Sequence, residues 1–112
     1  MQIFLGQPLN VAPQVKIEKK VVMNQQYYVI KGQNFTYYVK TKNGIVSEVI
    51  AKAPYKLAPV SYFIQNPQNC VKKLIMRVPL RMAKYEYDCN GTVYHYTTFG
   101  VPGNLITSVS LK

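Results

Sequence analysis

The sequence predicts an α+β domain: a twisted antiparallel sheet of five to seven strands with one helix packed on it. Three observations carry that expectation. Ten tyrosines and no tryptophan stand in a chain that is 48% apolar, and tyrosine and the β-branched residues suit a pleated, half-buried surface. Two Asn-Gly pairs, Asn43-Gly44 and Asn90-Gly91, lie between alternating apolar runs, the mark of a hairpin. A single run, Pro67 to Val78, spaces its apolar residues as a helix does. At 112 residues the expectation is one domain, 1–112, able to bury one core.

Met1 to Leu5 reads as a short edge strand, and the two prolines in Gly6 to Pro13 read as a loop. In Val15 to Val22, Val15, Ile17 and Val21 face one way and Lys16, Glu18 and Lys20 the other. Lys19 interrupts the apolar face, which suits an edge. Tyr27 to Lys31 is the next strand, ended by Gly32. Phe35 to Thr41 and Ile45 to Ala51 form a hairpin. A two-residue turn there would put Glu48 on the face of Phe35, Tyr37 and Val39. A three-residue loop, Lys42 to Gly44, avoids this by pairing Tyr37 with Val49, Val39 with Ser47 and Tyr38 with Glu48.

Ala53 to Pro59 is a connector and Val60 to Gln65 a strand. Asn66 then caps a helix with Pro67 at its first position. Cys70, Val71, Leu74, Ile75 and Val78 follow on one face, and Pro79 stops it. A strand from Val71 to Val78 is the competing reading. Tyr85 to Cys89 and Thr92 to Thr98 flank a two-residue turn, so Tyr87 opposes Tyr94, Tyr85 opposes Tyr96 and Glu86 opposes His95. Gly100 to Gly103 turns into a last strand, Leu105 to Leu111. Tyr27 to Ile50 and Tyr85 to Ser110 share a faint pattern, either two similar sheet halves or two meanders. The expected core is Val29, Phe35, Tyr37, Val49, Leu74, Ile75, Tyr87 and Tyr94.

Fourteen Lys and Arg against four Asp and Glu give a formal +10. Such a surface attracts nucleic acid, acidic membranes or acidic proteins. Twelve of the fourteen are lysines and only Arg77 and Arg81 supply a guanidinium fork, the geometry that specific phosphate and base contacts use. Lys19-Lys20 and Lys72-Lys73 are the only adjacent pairs, so there is no basic tract. No stretch approaches the length of a membrane-spanning helix, and Met1 to Leu9 does not read as a signal peptide. Cys70 and Cys89 suit a disulfide in an exported protein, or two buried thiols in a cytosolic one; the disulfide is the expectation.

Catalysis finds little here. Glu86, Asp88 and His95 are the one acid–base cluster, and an ordinary ion pair on an open sheet face accounts for them. No Gly-x-Ser-x-Gly elbow, Cys-x-x-Cys pair or phosphate-cradling glycine loop occurs, and two cysteines with one histidine are too few for structural zinc. No catalytic residue, cofactor or metal is therefore expected. Asn34-Phe35-Thr36 and Asn90-Gly91-Thr92 match the glycosylation pattern, which bears only on a eukaryotic secretory route.

Leu5-Gly6-Gln7-Pro8, Tyr27-Tyr28 and Val39 to Val49 around Asn43-Gly44 resemble part of the small outer-membrane-assembly lipoprotein domain and its β-lactamase-inhibitor relatives. Those families carry helices before that segment and this chain carries none. Val29-Ile30-Lys31-Gly32 with Asn34-Phe35 resembles the inhibitory strand of cystatins, with Tyr28 in place of that motif's opening glutamine. Neither resemblance carries functional residues across, and the chain is assigned to no family on them.

Tyrosines interleaved with lysines remain the strongest feature: Tyr28, Tyr38, Lys31, Lys40 and Lys42 are the candidate binding residues, with both tyrosines on the exposed face. The expected function is a non-catalytic protein-binding module, exported or on a particle surface, that recognises an acidic partner through this sheet face. A single-stranded nucleic-acid binder using the same face and a structural subunit that self-associates through an edge strand are the alternatives.

Overall fold

The computed structural model describes residues 1–112 and contains one eight-stranded antiparallel sheet. In chain order the strands are β1 (Ile17–Val22), β2 (Gln25–Lys31), β3 (Thr36–Lys42), β4 (Ile45–Ala53), β5 (Val71–Val78), β6 (Met82–Cys89), β7 (Thr92–Val101) and β8 (Asn104–Leu111). Across the sheet the order is β1-β2-β3-β4-β8-β7-β6-β5. Two four-stranded meanders thus meet where β4 pairs with β8. β1 and β5 are the edges.

The expected helix is absent, and the fold is nearly all sheet rather than α+β. Pro67–Asn69 forms one 3-10 turn, and Val71–Val78 is strand β5. Asn66 adopts a left-handed conformation and makes no side-chain cap. Between Cys70 and Pro79 only eight residues remain, two helical turns that cannot hold a helix without a packing partner. As a strand the same residues pair along β6 from Val71↔Asp88 to Val78↔Met82, with a bulge at Ile75. Leu74 and Ile75, expected in the core, are 50% and 44% exposed. Val60–Tyr62 is likewise a 3-10 turn rather than a strand.

Alternation gives the sheet one covered and one open face. Ile30, Tyr37, Val39, Val46, Val49, Ala51 and Val109 point to the covered side and join one buried cluster. Two irregular segments roof it. The N-terminal segment contributes Ile3 and Leu5, whose amides donate to the carbonyls of Tyr62 and Phe63. The connection from β4 to β5 contributes Ala58, Phe63 and Ile64. Its polar groups are satisfied by the sheet: the Ala58 amide donates to Thr107 Oγ1 at 3.0 Å, and Tyr96 Oη donates to the Ala58 carbonyl at 2.9 Å. Phe63 packs edge-on to Tyr37, with ring centroids 6.4 Å apart.

The first Asn-Gly hairpin solves the Glu48 problem differently from the sequence reading. Its turn has two residues, Asn43 and Gly44, both at positive φ, with Lys42 opposite Ile45. A bulge at Ser47 then absorbs one residue, so Thr41 opposes Val46, Val39 opposes Val49 and Lys40 opposes Glu48. Ser47 Oγ donates to the Lys40 carbonyl at 3.1 Å. The bulge keeps Glu48 on the open face while Val46 and Val49 both stay buried. The second Asn-Gly hairpin keeps an unbroken register, with Tyr87 opposite Tyr94, Tyr85 opposite Tyr96 and Glu86 opposite His95.

Candidate binding surface

Cross-strand pairing sorts the candidate residues by face. Tyr28 opposes the fully buried Val39 and packs against the core cluster, so it lies on the covered side and not on the exposed face. Tyr38 opposes Val29 and Ile50 on the open side. Lys31, Lys40 and Lys42 share that side, opposite Thr36, Glu48 and Ile45 respectively. Four of the five residues therefore share the open face, Lys31 beside one end of β3 and Lys42 at the other, and Tyr28 does not. The doublet Tyr27-Tyr28 sends one ring each way, and only the register of β2 against β3 decides which.

Tyr27 takes the open-face place expected of Tyr28. Its hydroxyl lies 3.2 Å from Gln25 Oε1 and 3.4 Å from Glu48 Oε1. Partial burial and the neighbouring Glu48 charge and hydrogen bond raise its pKa. Lys40 Nζ donates to Gln25 Oε1 at 3.1 Å. Lys52 was not among the sequence candidates, although its alternation with Ala51 and Ala53 places it on the open face. Thr36 stands between Lys31 on one side and Lys52 on the other.

Two parallel rows result. One is apolar and aromatic: Val29, itself buried, with the half-buried Tyr38 and Ile50. The next is cationic: Lys31, Thr36 and Lys52. Beside them a shallow hollow of about 300 Å³ is lined in part by Asn34, Thr36, Tyr38, Lys52 and Asn104, which offers amide, hydroxyl and ammonium donors to a carboxylate. On the open face of β2 to β4 the single carboxylate is Glu48, directly opposite Lys40.

The acid–base cluster of the other half does not assemble. Asp88 turns away to accept the Gly91 amide at 2.9 Å and so braces the turn. Glu86 accepts from Lys112 Nζ at 3.1 Å and lies 3.5 Å from His95 Nε2. The Lys112 hydrogen bond, opposed by slight desolvation, is the main cause of its lowered pKa. These three side chains meet on an open sheet, with no walls to exclude water. No three His, Cys, Asp or Glu side chains gather closely enough to hold a metal ion.

Cys70 and Cys89 form a disulfide, with S–S at 2.05 Å and Cα–Cα at 4.4 Å. It fastens the start of β5 to the end of β6. No helix is long and apolar enough to cross a membrane. No protein-family model, no curated protein and no solved structure matches this chain.

Proposed function

We propose that the chain is a non-catalytic protein-binding module that takes an acidic partner on the open face of β2 to β4. The Lys31–Thr36–Lys52 row beside the Val29–Tyr38–Ile50 row carries this reading. The half-buried Tyr38 and Ile50 give a partner apolar area to bury, and the adjacent ammonium groups select acidic residues at its rim. The disulfide supports an oxidising compartment, hence export or a particle surface. A single-stranded nucleic acid would need exposed rings to stack on. Tyr28 packs inward and Tyr27 is engaged with Glu48 and Gln25, which leaves Tyr38 alone on this face and favours protein over nucleic acid.

Fluorescence anisotropy with a labelled glutamate-rich peptide and a labelled single-stranded oligonucleotide, each across a salt series, tests the reading. The peptide should bind, and Lys31→Glu with Lys52→Glu should weaken it at least tenfold. Oligonucleotide binding that is tighter and falls steeply with salt would replace this proposal with the nucleic-acid one.

A further inference from the structure

At the far edge of the sheet, four strands away from Lys52 and six from Lys31, β5 presents an open pairing edge. All eight of its residues are exposed, Val71 by 72%, and β6 is its only strand neighbour. An edge of this kind carries unpaired amides and carbonyls that template another strand. It is held ready at both ends, by the Cys70–Cys89 disulfide and by the turn in which the Arg81 amide donates to the Val78 carbonyl. The bulge at Ile75 interrupts the ladder, so Val71 to Leu74 is the straight stretch.

The charges on that stretch decide what it accepts. Lys72 and Lys73 stand side by side in sequence and therefore on opposite faces of the sheet. Lys72 Nζ sits 4.4 Å above the centre of the Tyr85 ring, which fixes it in place. Lys73 opposes Glu86 across the ladder, yet Glu86 is engaged by Lys112 and His95 instead. Neither lysine has a carboxylate within ion-pair distance.

A two-fold antiparallel pairing with a second copy, centred on either lysine, would set that lysine directly opposite itself, and like charges so placed are destabilising. Pairing β5 with the β1 edge of another copy would meet Lys19 and Lys20, on a strand whose one acid, Glu18, already lies 3.6 Å from Lys16. The same lysines that reject a second copy are complementary to acids. We infer that β5 is a strand-addition site for an extended segment of the pattern apolar–acidic–acidic–apolar. The two acids meet Lys72 and Lys73 on opposite faces, and the flanking apolar residues lie along Val71 and Leu74. The inference is independent of the proposed function, which uses another surface.

The probe is a capped ten-residue peptide centred on Val-Glu-Glu-Val. Its controls are a scrambled peptide of the same composition, a Val-Lys-Lys-Val peptide and a short single-stranded oligonucleotide, each titrated into the ¹⁵N-labelled full chain. The expected result is amide shifts and slowed exchange confined to Val71 to Leu74 and its β6 neighbours, with the scrambled peptide at least tenfold weaker. Lys72→Glu with Lys73→Glu should reverse the preference toward Val-Lys-Lys-Val and leave the Lys31 and Lys52 region unchanged. Equal binding of the scrambled peptide, shifts elsewhere, no shift at millimolar peptide, or stronger perturbation of the same amides by the oligonucleotide would each overturn it. So would a free protein that is dimeric through β5 by sedimentation. The peptide panel on the unmodified protein decides the matter even if the double variant does not fold.

Discussion

From β2 to β8 the covered face holds Ile30, Val39, Val46, Val49, Ala51 and Val109 with no solvent exposure, roofed by Phe63 and Ala58. From β7 to β5 the same face holds Tyr94, Tyr96, Tyr85 and Leu74, and only Tyr87 there is buried. Both regions belong to the same antiparallel sheet. They differ in what lies over them. The N-terminal segment and the β4–β5 connection cross the first half, where small and branched side chains let them approach. The second half meets the roof mainly through Tyr96, whose hydroxyl bonds the Ala58 carbonyl, and is tied at its rim by the disulfide. One half is held by packing, the other by tyrosine edges and a covalent link.

The sharpest way to break that contrast is a pair of truncations. Phe63→Ala should cost about 3–5 kcal/mol, the range for emptying a fully buried aromatic site. Leu74→Ala should cost well under about 1 kcal/mol, as for a surface position. Urea melts of both variants check this. A Leu74→Ala loss as large as that of Phe63→Ala would mean that the β5 edge is covered.

The disulfide should matter next. It closes a loop with a sequence separation of 19, for which chain entropy gives about 3 kcal/mol. Reduction should lower the urea midpoint. Hydrogen exchange should then quicken in β5 and β6 before it does in β3 and β4. Uniform loosening of all eight strands would show that the two halves act as one cooperative block.

The two hairpins show how far the sequence is legible. At Asn90-Gly91, periodicity and turn chemistry agree, and the pairing from Tyr85↔Tyr96 to Tyr87↔Tyr94 can be read off the residues. At Asn43-Gly44 the conflict over Glu48 is visible, but it has two solutions, a longer loop or a bulge. Both keep Tyr37, Val39 and Val49 inside. What selects the bulge is tertiary: Val46 exchanges backbone hydrogen bonds with Gly6 and Gln7 from the N-terminal segment, and no local pattern announces that. The Val71–Val78 run fails for a related reason. A bulge at Ile75 shifts the strand alternation midway, so its apolar spacing also fits a helix. Among the candidate binding residues, Lys31, Lys40, Lys42 and Tyr38 follow from period-two alternation. Tyr28 does not, because an adjacent tyrosine pair looks the same in either register.

The alkaline limb separates the halves by the smallest margin. Burial, with a smaller contribution from neighbouring Tyr62, pushes Tyr37 up to about 12. Burial, assisted by Tyr87 and Tyr85, pushes Tyr96 up to about 12. An unfolded tyrosine ionises near 10. As pH rises past that value the unfolded chain sheds these protons first, so stability is fully present below about 10 and drains away between about 10 and 12. Tyr37→Phe removes a proton that the core half must keep, and should flatten this limb with little change at neutral pH. Tyr96→Phe should flatten it too, but it also leaves the Ala58 carbonyl without its donor and should cost about 1 kcal/mol at pH 7. Thermal melts at pH 7, 10, 11 and 12 check both. The neutral-pH loss should appear for Tyr96→Phe alone, because its hydroxyl ties the roof to the second half. An equal loss for both would mean that Tyr37 also anchors through its hydroxyl, and that the packed half relies on polar ties as much as the tyrosine half does.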